Sequence, residues 1–224
     1  ADVSAVNDGA LTISLTGVND NATLSAFIVM SSNGEIDNTP PPMTDGGPNS
    51  MGFIGCSMAE NTATGYRAIG GEKMWGPYGT NGDVVQNWTD NNSAAWQRFD
   101  QQVAMYGKPQ AVWVQICIFN FFGVTYDEVK SMIANARSHA ADNATIYISG
   151  QPVYDPGLTC DLAGSGGPEL TDSLAEMAGN DAALDVIYVG QFGPLSNGDR
   201  SDSCHANTTG QRKLGQQAAE YFGL

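Results

Sequence analysis

The 224-residue chain carries 24 acidic against 9 basic residues, a formal net charge of −15, and 42% of it is hydrophobic. That balance repels phosphate backbones and anionic lipid, so a nucleic-acid partner is excluded and an acidic membrane surface is disfavoured. No apolar run approaches the roughly 18–20 residues of a membrane span, yet the length suffices for a full core.

Ala1 reads as a processed or trimmed start. Residues 11–30 read as extended: "LTISLT" and "ATLSAFIVM" alternate in part and are rich in β-branched residues, with Gly17–Asp20 as the turn. A two-stranded hairpin is marginal alone, so it needs something to pack on. "DNTPPPMTDGGPNS" (37–50) is crowded with Pro and Gly and reads as a linker. The expectation is an N-terminal β-hairpin extension over 1–47 and a main domain over 48–224.

Beyond the linker, strands and helices alternate. "MGFIG" (51–55) is a short apolar strand. Residues 93–106 repeat apolar positions at helical spacing. "AVWVQICIF" (111–119) is a strand buried on both faces. Residues 125–141 form a helix opened by a Thr125/Glu128 capping box. A strand (144–149), a helix (169–179), a strand (184–190) and a closing amphipathic helix (208–223) follow. This alternation predicts an α/β fold with a parallel sheet covered on both faces.

The four cysteines, Cys56, Cys117, Cys160 and Cys204, include no C-x-x-C pair. An even count in a chain with four lysines fits an oxidising compartment. Five Asn-x-Ser/Thr sequons (Asn21, Asn87, Asn91, Asn143 and Asn207) point the same way, toward secretion. "NGDRSD" (197–202) lacks the spacing of a calcium loop, and neither a metal nor another cofactor is expected.

In such sheets the site forms beyond the C-terminal strand ends. Ser57, Asn120, Asp202 and His205 all fall there. A hydroxyl needs a base to become nucleophilic, and an imidazole oriented by a carboxylate is suited to that task. His139, inside a helix, is read as exposed or as a satisfied structural residue rather than a catalytic one. Cys56, beside Ser57, has three possible roles: a rival nucleophile, a small buried hydrophobe, or a partner for Cys117 on the adjacent strand. Ser57 is preferred, because a working free thiol is a liability in an oxidising compartment.

"FIGCSMAEN" resembles the nucleophile block of the SGNH (GDSL-type) hydrolases, and "DSCHANTTGQ" resembles their last block. "YGTNGDVVQNW" (78–88) is similar to their glycine block and "CIFN" (117–120) to their asparagine block. The resemblance spans residues 53–215. It implies a flavodoxin-like α/β/α sandwich of three layers around a mostly parallel, five-stranded sheet. It implies Ser57 as nucleophile, His205 as base and Asp202 orienting it. The oxyanion hole would use the Ser57 and Gly82 N–H groups and the Asn120 amide, with Gly79 the competing glycine. Cys56 replaces the family's Asp, Ile118 its Gly and Phe121 its Asp.

Cys160 and Cys204 both lie in rim loops, and a bond between them would tie the His205 loop to the loop after strand 144–149. Phe119, Phe121 and Phe122 offer either an apolar rim or core packing. Trp75, Trp88 and Tyr78 offer either sugar stacking or core packing. The expected function is a secreted, monomeric serine esterase acting on acylated carbohydrate or small lipid esters. An acyltransferase, or a carbohydrate-binding or adhesion module on a degenerate scaffold, are the alternatives.

Overall fold

In a computed structural model of the protein, residues 46–224 are described in full, together with the backbone of β1 (Asp2–Ala5) and β2 (Leu11–Ser14). The chain divides into Ala1–Asn38 and Thr39–Leu224, earlier than the boundary at 47 expected from the linker. In the first unit β1 and β2 pair antiparallel. The expected second strand of the hairpin, 22–30, lies outside the described residues.

The second unit is α/β. Its sheet runs β3 (Met51–Ile54), β4 (Ala111–Gln115), β5 (Thr145–Ser149), β6 (Val186–Tyr188), in that order and all parallel. Every residue of β3 and β4 is buried. Successive strand residues face opposite sides, so both faces of the sheet are covered, as layers of helix require. Among the described residues this sheet has four strands. β3 also makes one isolated parallel bridge, Met51 to Met74, with Met51 N–H to Lys73 O (3.0 Å) and Trp75 N–H to Met51 O (2.9 Å). Gly76 and Pro77 follow directly and end it.

The strands are joined by α1 (Ser57–Ala68), α2 (Val85–Thr89), α3 (Ala94–Tyr106), α4 (Tyr126–His139) and α5 (Gly167–Asn180), and α6 (Thr208–Phe222) closes the chain. The Thr125/Glu128 capping box opens α4 as expected. β4 is shorter than the apolar run 111–119. The Cys117 carbonyl accepts the Val85 N–H (2.9 Å) at the start of α2, and its sulfur is bonded to Cys56, so the chain leaves the sheet.

Helix α1 packs along α6 with backbone against backbone. A Cβ on Gly65 would overlap the Gln211 carbonyl, and one on Gly215 would overlap the Gly65–Tyr66 peptide. Alanine in a free helix is favoured over glycine by about 1 kcal/mol. Here the crossing reverses the sign: Gly65→Ala is expected to destabilise by roughly 3 kcal/mol through overpacking. Urea unfolding measures it, and a stabilised variant would show that the helices do not touch there.

Trp75 and Trp88 are fully buried, and their indole N–H groups donate to Asn49 O (2.9 Å) and Gly55 O (3.1 Å). Tyr78 stacks on Phe53 and Phe99 and donates its hydroxyl to Phe53 O. These aromatics are core, which removes both tryptophans from any sugar-stacking role.

Candidate active site

Cys56 is the extended residue before α1, so Ser57 opens the helix at the end of β3. The N–H groups of Ala59 and Glu60 already bond the Cys56 carbonyl. The Ser57 and Met58 N–H groups precede them at the positive end of the helix dipole.

His205 reaches Ser57 from the loop before α6. Ser57 Oγ lies 2.8 Å from His205 Nε2, and His205 Nδ1 lies 2.7 Å from Asp202 Oδ2. The other carboxylate oxygen, Oδ1, accepts the backbone N–H groups of Cys204 and His205, both at 2.7 Å. The His205 N–H is the main reason that the Asp202 pKa falls to about 2; the Cys204 N–H and the imidazole add to it, against the penalty of desolvation. An ionised carboxylate only accepts, so Nδ1 carries the proton of the neutral imidazole. Nε2 is then the acceptor facing the Ser57 hydroxyl. Asp202, His205 and Ser57 form one hydrogen-bonded chain with the tautomer a general base requires.

Two links hold the partners in place. Asn61, one turn beyond Ser57, accepts the Ala206 N–H at 2.8 Å, tying the histidine loop to the nucleophile's helix. The Cys160–Cys204 disulfide ties the same loop to the segment after β5. Removing it as Cys160→Ser/Cys204→Ser is expected to cost about 2–4 kcal/mol by freeing the unfolded chain. Denaturant unfolding checks this, and an unchanged midpoint would contradict it. The second disulfide joins Cys56 to Cys117, and no free cysteine remains. Cys56 is thus a half-cystine and not a rival nucleophile.

The pocket at Ser57, about 110 Å³, is lined by apolar side chains (Met58, Val84, Ile118, Phe119 and Leu162), both disulfides, and four polar residues: Ser57, His205, Asn81 and Gln151. A larger depression of about 380 Å³ near Pro48, Arg67 and Glu72 contains no nucleophile–base pair.

The expected oxyanion donors divide. Ser57 lines the pocket from the first turn of α1. The Gly79 N–H is taken by Glu60 Oε1, which also accepts the Tyr78 (2.9 Å) and Thr80 (2.8 Å) N–H groups. Gly82 is exposed beside the pocket residue Asn81 and does not line the pocket. Asn120 does not line it either. β4 ends five residues earlier, the Asn120 N–H bonds Leu162 O (2.8 Å), and its side chain sits where a Cβ on Gly164 would fall. Gln151, which sequence reasoning passed over, does line the pocket. Its backbone is fixed by Thr171 and Gln191, while its buried side-chain Oε1 has no partner. Its only sequence signal is its place two residues past the end of β5.

His139 is a mostly covered, hydrogen-bonded bridge between α3 and α4. Its ring stacks on Trp96 and bonds Asp100 (2.6 Å) and Asn91 (2.9 Å). Among the described residues no cluster of His, Cys, Asp and Glu could hold a metal ion, and no helix is long and apolar enough to cross a membrane. No protein-family model matches the chain, and no curated protein matches it.

Proposed function

We propose that the protein is a serine esterase of SGNH type that hydrolyses carboxylic esters through an acyl-enzyme on Ser57. The observation that carries this is the unbroken chain from Ser57 Oγ to His205 Nε2 and from His205 Nδ1 to Asp202, at 2.8 and 2.7 Å. His205 Nε2 takes the hydroxyl proton as Ser57 Oγ bonds the ester carbon. The charge on the tetrahedral oxygen is met by the Ser57 N–H, with the Asn81 and Gln151 amides on the pocket wall beside it. The Gly82 N–H and the Asn120 amide are the donors implied by the resemblance, and they require a local shift to reach this oxygen. The alkoxide leaves with the proton from His205. Water then attacks the acyl carbon, gives its proton to Nε2, and the acid is released as Ser57 regains its hydrogen.

On this reading the sheet is the five-stranded SGNH sheet with its edge strand reduced to the Met74 bridge. The two disulfides suit secretion. The enzyme works as a monomer without a cofactor on small-molecule or polysaccharide esters. Purified protein is expected to turn over p-nitrophenyl acetate, and turnover that persists undiminished in Ser57→Ala would overturn the proposal.

A further inference from the structure

The loop after β4 leaves Phe121 76% and Phe122 60% exposed, and Leu162 across from it is 46% exposed. Among the described residues eight large apolar side chains are exposed; of these three, Leu162 lines the pocket, and Phe121 and Phe122 adjoin it through Phe119. Phe119 lines that pocket and stacks on Phe121 with centroids 5.6 Å apart and planes 7° apart; Phe122 lies 4.5 Å from Phe121. An exposed apolar cluster continuous with a pocket marks a place where apolar matter is held.

The cluster is braced. The Phe122 N–H bonds Phe119 O (2.9 Å), Gly123 turns the chain at φ +65°, and Gln86 Nε2 donates to Gly123 O (3.2 Å). The Asn120 N–H bond to Leu162 O joins the two rim loops. The disulfides repeat one pattern. Cys56 precedes Ser57 and is bonded to Cys117, two residues before Phe119. Cys204 precedes His205 and is bonded to Cys160, two residues before Leu162. Each half of the catalytic pair is cross-linked to one wall of the rim.

Resting on the esterase reading above, we infer that Phe119, Phe121, Phe122 and Leu162 form the acyl subsite, and that the substrate is a neutral ester with an apolar acyl chain several carbons long. The carbonyl carbon sits at Ser57, the first carbons fill the pocket between Ile118 and Phe119, and the rest of the chain lies across Phe121 and Phe122. Charge selects the class. Residues 116–124 carry no charged side chain, Asp161 flanks the rim, and the chain is −15 overall, so an anionic acyl group is repelled. A methylene buried from water is worth roughly a fourfold gain in kcat/KM.

The test measures kcat/KM on p-nitrophenyl acetate, butyrate and octanoate for the wild type, Phe121→Ser/Phe122→Ser and Met105→Ser. Met105 is as exposed as the rim but lies at the end of α3, before β4 begins. The wild type is expected to prefer octanoate over acetate, and the rim variant to lower that ratio by about tenfold, the loss of one to two buried methylenes. Met105→Ser is expected to leave the ratio alone. Calorimetric binding of monooctanoylglycerol to Ser57→Ala, with and without the rim substitutions, reads the subsite independently of turnover. Rim-dependent binding without any turnover keeps the subsite and removes the esterase reading. Turnover with a ratio and an affinity that ignore the rim substitutions removes the subsite.

Discussion

Ser57→Ala is expected to lower ester hydrolysis by about 10⁴- to 10⁶-fold, the loss seen when a nucleophile working with its base is removed. The magnitude follows from the geometry: among the described residues Ser57 is the sole hydroxyl lining the pocket, and it faces the one imidazole there. His205→Ala is expected to cost about as much, and the double variant little more than either, because the two act as one device. Steady-state rates on p-nitrophenyl acetate measure this, with circular dichroism confirming the fold. Independent, multiplying losses would mean that the two residues do not share a proton. Cys56 is not expected to stand in for the missing hydroxyl of Ser57→Ala under oxidising conditions, since its sulfur is held by Cys117.

Asp202→Asn is expected to lower kcat by about 10⁴-fold without disturbing the loop. Asp202 Oδ1 accepts two backbone N–H groups, and an asparagine oxygen can take both. Its NH₂ must then point at His205 Nδ1. That forces the imidazole proton onto Nε2, where it faces Ser57 as a donor and the base is lost. The same two N–H bonds keep the Asp202 pKa near 2. The carboxylate therefore stays ionised throughout the ordinary carboxylate range and above it. No inflection from Asp202 is expected in log kcat/KM within the ordinary carboxylate range. An inflection there that disappears in Asp202→Asn would contradict this. For stability the sign is that of a depressed carboxylate. Its contribution is complete above the ordinary carboxylate range and is lost as pH falls through about 2. With 55% of the side chain in water that contribution is small.

Much of the fold was legible because its elements are periodic. β5, α3, α4 and α6 lie within two residues of the spans read from hydrophobic spacing and caps. Helix α1 was not read at all. "ENTATGY" is full of weak helix formers, and Gly65 stands at its centre because α6 passes there, a constraint visible only in three dimensions. β4 was read too long for a related reason: the Ile116 N–H still bonds Ser149 O of β5 (2.9 Å), but Cys117, Ile118 and Phe119 beyond it are apolar because they line the pocket.

At the site, Ser57, Asp202 and His205, which the structure brings together, were legible through order and spacing. The Cys160–Cys204 bond was legible through the two rim loops, whereas Cys56–Cys117 was one of three open roles for Cys56. Glu60 and Gln151 were not. Glu60 is buried, and it organises residues 78–80 by accepting three backbone N–H groups, a role with no sequence motif. Asn120 was legible as a residue type but not in register. The chain leaves the sheet at Cys117 and carries Asn120 past the pocket to meet Leu162.

Peptide mapping by mass spectrometry after reaction with a fluorophosphonate goes straight to the central matter, the activation of one hydroxyl by one imidazole. A single adduct on Ser57, formed far more slowly in His205→Ala, is the expected result. An intact Ser57 after prolonged exposure, or an adduct formed equally fast without the imidazole, would contradict it.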